Sequence, residues 1–197
     1  MAGRLVYLIG PSGSGKDSLL RAAAEPLAGI GACIATRLIT RPSGSIGEEG
    51  AIGLDSQEFQ ARRERGEFAL HWHANDLHYA IPREIDDWLA AGRTVLVNGS
   101  RAHLREARRA YPGLLPVLLQ VEEAVLRLRL QRRGRETPEQ IEARLQRSRQ
   151  MSQELAGESG LRILDNSGPL EDSVRRMLTL IAEHCDRSAP GVDSGQG

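Results

Sequence analysis

Lysine is almost missing from this chain of 197 residues: of 26 basic residues, Lys16 alone is lysine and the other 25 are arginine. Aromatics are scarce at 4%, so the core is expected to be built from Leu, Ile, Val and Ala. The two cysteines, Cys33 and Cys185, stand far apart and make neither a disulfide framework nor a metal-ligand pattern; each is expected to fill core space. Net charge is zero, which removes any global attraction to nucleic acid or to an anionic membrane. No apolar run approaches the length of a membrane span, and the first residues enter a short strand without a cationic, cleavable leader. A cytoplasmic address is expected.

What is present is a regular alternation. "RLVYLI" at 4–9 has the look of a buried strand, and "DSLLRAAAEPLA" after it has helical spacing, ending near Pro26. Further strands are expected at 32–36, 68–73, 94–98, 114–121 and 161–165. Helices are expected at 56–65, 83–91, 101–110, 122–133, 138–155 and from Pro169 to about 185, with Thr137, Pro138 and Gln140 forming a capping-box start. Such alternation predicts an α/β fold with a parallel sheet, right-handed crossovers and helices on both faces. The length suits one domain over 1–186, and the Gly, Ser and Pro content of 187–197 predicts a flexible tail.

Between the first strand and the first helix lies "GPSGSGKD", residues 10–17. Gly10, Gly13 and Gly15 let the backbone wrap an anion, so that the loop's N–H groups and the helix dipole converge on one point. The Gly-x-x-x-x-Gly-Lys spacing marks a nucleotide phosphate loop made of Gly10, Pro11, Ser12, Gly13, Ser14, Gly15, Lys16, Asp17 and Ser18, with Lys16 set to bridge the β and γ phosphates of ATP. An ammonium on a flexible stem reaches between phosphates as a point charge, which a guanidinium fork does not copy.

One position departs from the usual pattern. The residue after Lys ordinarily offers a hydroxyl to Mg²⁺ while a strand-end acid supports the metal from a second side. Here Asp17 follows Lys16, and the strand "TVLVNGSR" ends in Asn98 and Ser100. Asp17 is a candidate Mg²⁺ ligand, since a hard cation takes a carboxylate together with phosphate oxygens. Ser18 could supply the hydroxyl by a one-residue shift, and the bland alternative makes Asp17 a helix N-terminal charge favoured by the dipole.

Residues 127–149 carry eight Arg against three Glu, in two helices divided by "RGRET". Part of such a run solvates an exposed face. Two helices meeting at a glycine also suit a lid over phosphates at about 127–150, with Arg129, Arg133 and Arg144 as the candidate catalytic arginines.

Taken together, "GPSGSGKDSL", "TRP" followed by "GEEG", "GEFALHWHANDLHYAIP", "LAAGRTVLVNG" and "LRLRLQRRGRETPEQIEARL" resemble the guanylate kinase family over about residues 4–180. Within it, "GKDSLL", "ALHWHAN", "VLVNGSR" and "RGRE" are most similar to the ribose 1,5-bisphosphate phosphokinases. The resemblance implies a P-loop NTPase fold with an acceptor-binding region at about 37–82. It also implies ATP-dependent conversion of ribose 1,5-bisphosphate to 5-phosphoribosyl 1-diphosphate (PRPP) in phosphonate breakdown, with Mg²⁺.

By that resemblance Arg41 and Tyr79 match positions that hold the acceptor's phosphate, and Asn166 in "DNSG" falls in the adenine-side loop. The family's second phosphate-binding Arg is replaced by Gly44, leaving Arg37 or Arg101 to substitute, although Arg101 equally suits an ordinary helix-start charge. The Glu and Thr with which guanylate kinases read guanine become Leu70 and Ile81. A site without those hydrogen-bonding groups discriminates a base poorly. His71, His73 and His78 leave three readings open: structural histidines, contacts to sugar hydroxyls, or a metal site. Trp72 and Asn75 could border the acceptor as a ring wall and a hydroxyl partner. The expected partners are ATP and a phosphorylated sugar, with the oligomeric state open and a homodimer compatible. The competing functions are a guanylate or other nucleoside monophosphate kinase, and a non-catalytic binding module.

Overall fold

Five apolar residues, Leu5 to Ile9, are shielded from water on both faces of β1 (Arg4–Ile9), which puts that strand in the middle of a sheet. A computed structural model describes residues 3–41 and 51–186 of the chain. In it β1 is central to a five-stranded sheet with β2 (Ala32–Ile34), β7 (Thr94–Asn98), β8 (Leu115–Gln120) and β9 (Arg162–Asp165), in the order β2-β7-β1-β8-β9. All four pairings are parallel. One face is covered by α1 (Lys16–Gly29) and α7 (Leu170–Asp186), whose Leu19, Leu27, Met177 and Ile181 pack with Val6, Leu8 and Leu96. The other face takes Ile85 from α3 (Glu84–Ala90) and Leu104 and Ala107 from α4 (Leu104–Ala110).

The alternation predicted parallel strands throughout, and a second sheet departs from it. It has four strands, β3 (Leu38–Thr40), β4 (Ile52–Leu54), β5 (Phe68–Ala74) and β6 (Leu77–Pro82), ordered β4-β3-β6-β5. Only β3 and β4 run parallel; β6 is antiparallel to both β3 and β5. The reversal comes from Asn75 and Asp76, both left-handed at φ 50° and 59°, which is the two-residue turn that matches strand twist in a hairpin. Phe59 of α2 (Ser56–Glu64) closes one face of this sheet, and Asp55 caps that helix by accepting from the Glu58 N–H at 2.8 Å.

Two helix boundaries also differ from expectation. α1 runs past Pro26 because the ring sits on the solvent face, the carbonyl it strips of a donor belongs to exposed Ala22, and buried Leu27 holds the last turn to the core. The helix expected at 101–110 is a 3₁₀ turn, Arg101–His103, followed by α4.

α5 (Glu123–Arg133) and α6 (Pro138–Leu155) form a helical hairpin around Leu126, Leu130, Ile141 and Leu145, over the span where the sequence suggested a lid. Gly134 ends α5 in the left-handed conformation, and Thr137 with Gln140 forms the capping box that starts α6. Cys33 is a half-buried free thiol against the core; the Cys185 side chain, the 187–197 segment and residues 42–50, with Pro42, Gly44 and "GEEG", lie outside the described residues.

Candidate active site

β1 delivers the chain at Ile9 into a loop that turns back on itself to start α1 at Lys16. The turn needs left-handed backbone at Gly13 (φ 91°) and Gly15 (φ 86°). It also needs their missing side chains. A Cβ on Gly15 would lie 2.9 Å from Asn166 Nδ2, and one on Gly13 would lie 2.9 Å from Leu130 Cδ2 of the lid.

Lys16 Nζ donates to the Gly10 and Pro11 carbonyls at 2.6 and 3.3 Å. Burial lowers its pKa to about 8; the neighbouring Asp17 carboxylate opposes that shift and the Arg37 guanidinium adds to it. The amine is therefore a buried group whose positive charge is poorly solvated, a state that an incoming anion relieves.

Lys16 faces a cleft of about 750 Å³ between the two sheets. Its walls include Gly10, Ser12 to Ser18, Arg21, Arg37, Tyr79, Arg101 and Arg133. Four guanidinium groups and one ammonium around one opening suit a polyanion. The Arg37 guanidinium carbon stands 5.5 Å from the centre of the Tyr79 ring. Tyr79 in turn stacks on Trp72 at 5.5 Å and 7°, and Trp72 on His103 at 5.6 Å. A flat cation against a braced ring loses little entropy on meeting a phosphate.

The floor of the cleft is fixed by a buried tyrosine. Tyr7 Oη donates to the Ser100 carbonyl at 3.2 Å and accepts from the Ser100 N–H at 3.0 Å, and its ring leaves room only for glycine at position 99. Burial, the largest influence, drives the phenol pKa far up, so it stays a neutral donor and acceptor.

The arginines of the α5–α6 hairpin reach the loop at 10–17 in different ways. Arg144 donates to Ser12 Oγ at 2.7 Å while Glu136 holds its other nitrogen at 2.9 Å. Arg129 donates to the Asn166 carbonyl at 2.8 Å, and burial pushes its pKa down. Arg133 lines the cleft itself. Asn166 is buried, with its amide donating to the Ser14 carbonyl at 2.7 Å, so its side chain braces the loop from below.

Of the other residues singled out from the sequence, Arg101 lines the cleft and pairs with Glu154. Arg41 stands just past β3, its N–H donating to the Leu54 carbonyl, at the border of the described residues. Asn75 lines the cleft and Trp72 backs Tyr79. Leu70 and Ile81 face each other across β5 and β6, 4% and 0% exposed in the core.

His71 and His73 alternate with Trp72 and so point to the opposite face of the small sheet. His73 lies 4.8 Å from His78, which lies 5.4 Å from Phe59. Strand alternation turns these rings away from the cleft, whose lining includes none of the three, and this favours the structural reading of the histidines. Among the described residues no group of three His, Cys, Asp or Glu is placed to hold a metal, and no helix is long and apolar enough to cross a membrane.

Residues that sequence reasoning passed over include Arg21, on the cleft one helical turn after Asp17, and Glu136, which sets Arg144. The i, i+4 spacing from Asp17 would have found the first. Asn98, noted from the sequence only as standing where an acid was missing, also joins the site: its Nδ2 donates to Asp17 Oδ1 at 3.1 Å, and its own Oδ1 is buried without a partner. A carboxylate beside an idle amide oxygen is a hard-oxygen set, and it fits Mg²⁺.

Sheet order and loop placement define a P-loop NTPase fold, and solved structures agree. A guanylate kinase from Anaplasma phagocytophilum superposes with a TM-score of 0.67 over 93% of this chain and 87% of its own, at 17% identity. A gluconokinase from Sinorhizobium meliloti 1021 gives 0.54 over 94% and 95%, at 24% identity. No protein-family model matches the chain. Curated relatives are far more similar in sequence: the ribose 1,5-bisphosphate phosphokinase PhnN of Pseudomonas fluorescens is 58% identical over 90% of this chain and 94% of its own length. Those of Azotobacter vinelandii and Yersinia pestis are 53% and 47% identical over 92% and 96% of this chain. The chain belongs to the ribose 1,5-bisphosphate phosphokinase family.

Proposed function

We propose that this protein transfers the γ-phosphoryl group of ATP to the anomeric phosphate of ribose 1,5-bisphosphate, giving ADP and PRPP. The observation that carries the reading is the 58% identity to a curated ribose 1,5-bisphosphate phosphokinase over nearly the whole chain. The cleft supports it independently: cations surround it, while Leu70 and Ile81, at the positions of the guanine readers, are sealed in the core. A GMP base entering here would leave its hydrogen-bonding edge unpaired.

The nucleophile is a phosphate oxygen already ionised at neutral pH, so the chain has no proton to remove. An oxygen of the anomeric phosphate forms a bond to the γ phosphorus as the bond from that phosphorus to the β–γ bridging oxygen breaks, and ADP leaves with the electron pair. The work left to the protein is to align two polyanions and neutralise them. The loop N–H groups and Lys16 hold the triphosphate, Arg37, Arg101 and Tyr79 hold the acceptor's phosphates together with Arg41, and Arg129, Arg133 and Arg144 cover the moving group and exclude water. Mg²⁺ brought in with ATP would be held at Asp17 and would supply positive charge that neutralises the phosphates.

A coupled assay that offers ATP with ribose 1,5-bisphosphate or with GMP, followed by product identification, tests the proposal. PRPP formation with negligible GDP is the expected result. Robust turnover of GMP without the sugar bisphosphate would overturn it in favour of a nucleoside monophosphate kinase.

A further inference from the structure

We infer that Asp17 and Asn98 form one divalent-cation position in which the acid and its neutral partner have exchanged places between loop and strand. The inference rests on the reading of Asp17 as the carboxylate of the Mg²⁺ site. In the usual phosphate loop the neutral group follows the lysine and the acid ends a neighbouring strand. Here the acid follows Lys16 and an amide ends β7.

The two positions are 81 residues apart, and the fold makes them neighbours. β7 pairs with β1 so that Asn98 is in register with Leu8, and Asn98 therefore ends level with the entry to the loop. The Gly99 N–H donating to the Leu8 carbonyl, together with the two bonds from Tyr7 to Ser100, keeps that strand end from slipping. The result is the 3.1 Å contact from Asn98 Nδ2 to Asp17 Oδ1.

A carboxylate only accepts, so the amide must turn Nδ2 toward Asp17. That orientation leaves Oδ1, the amide's other polar atom, buried without a protein partner in a residue only 5% exposed. An unmet acceptor at that depth is costly, so it marks a place where a polar group from outside the chain belongs. A water in the shell of a cation held by Asp17 would meet that need. The same contact explains why position 98 is an amide. Two carboxylates at this separation would repel, and one would take up a proton. One negative charge is kept, on whichever side it stands. Asn98 acts through Asp17 and is a positioning residue.

The test is Mn²⁺ binding followed by electron paramagnetic resonance, with the full-length protein and a non-hydrolysable ATP analogue. Asp17→Asn and Asn98→Ala should each weaken Mn²⁺ binding about 10- to 100-fold. Their affinity for ATP in EDTA should be unchanged or tighter, which separates loss of the ion from loss of the fold. The exchanged variant Asp17→Asn/Asn98→Asp keeps side-chain volume and total charge, and should regain most of the Mn²⁺ affinity. Wild-type binding in Asn98→Ala beside a weakened Asp17→Asn would overturn the pair while sparing Asp17 as ligand. An exchanged variant as weak as Asp17→Asn would overturn the exchange. Wild-type binding in Asp17→Asn would remove the metal assignment itself and this inference with it.

Discussion

The two sheets present phosphate-sized sites by opposite means. On the parallel sheet the loop at Gly10–Gly15 is a backbone device: left-handed glycines, a helix start and one buried amine. On the small mixed sheet the cleft wall is a side-chain device, in which Arg37 lies against Tyr79, Tyr79 against Trp72 and Trp72 against His103. A backbone site tolerates almost no change of residue, because each of its glycines is pinned by a close neighbour. A side-chain site can alter what it recognises while keeping its grip on charge, as the buried Leu70 and Ile81 illustrate. That difference allows one fold to keep its donor and change its acceptor.

The comparison breaks most readily at Lys16. Lys16→Ala should lower kcat/KM about 100- to 1,000-fold, the scale for losing one preorganised donor at a developing charge, with no fall in Tm because the lost charge was buried at a cost. Steady-state kinetics beside thermal unfolding checks both halves, and retained activity would place the triphosphate elsewhere. On the acceptor side, Arg37→Ala should raise the acceptor KM about 10- to 100-fold, from the loss of about 1.5–3 kcal/mol in a charged hydrogen bond, and leave the KM for ATP in place. A parallel rise in both constants would mean that the two devices are not separable.

Gly15→Ala probes the pinned backbone. Left-handed conformation costs a residue with a Cβ about 1–2 kcal/mol, and the added carbon meets Asn166 Nδ2 at 2.9 Å. Both ATP affinity and Tm should drop, whereas Gly113→Ala, with nothing within 4 Å of its Cβ, should leave ATP affinity alone.

The smallest effect is in pH. Lys16 is charged below about 8 and neutral above it. Metal-free ATP, titrated calorimetrically in EDTA, should therefore bind with full affinity at pH 7 and about tenfold more weakly at pH 9, one unit above the pKa. Binding near pH 8 should take up a proton, since the anion restores the ammonium. The sign for folding is the reverse: the unfolded state holds this proton more tightly, so the Lys16 contribution to stability rises between about pH 8 and the ordinary lysine range. A flat affinity profile in Lys16→Arg would assign the effect to this amine.

The donor side was legible because its signal is local. "GPSGSGKD" places its own turn, its own helix start and its own cation within eight residues. The central strands announced themselves by unbroken apolar runs, buried on both faces. The small sheet did not: β3 and β4 are three residues each, and its hairpin turns on the Asn75–Asp76 pair, which lacks the glycine that usually marks such a turn. The histidines illustrate the same gap, since their spacing says they share a face without saying which face looks at the cleft.

Sequence alone determined a glycine loop with a solitary lysine between the first strand and the first helix, because each part of that device lies close to the next along the chain. Tertiary structure alone decided that Asn98 meets Asp17, that Arg37 rests on Tyr79 and that Glu136 steadies Arg144 over Ser12. Those contacts join different strands and helices, or in the last case two segments and the loop, and parallel pairing and lid packing fix distances that no local spacing encodes.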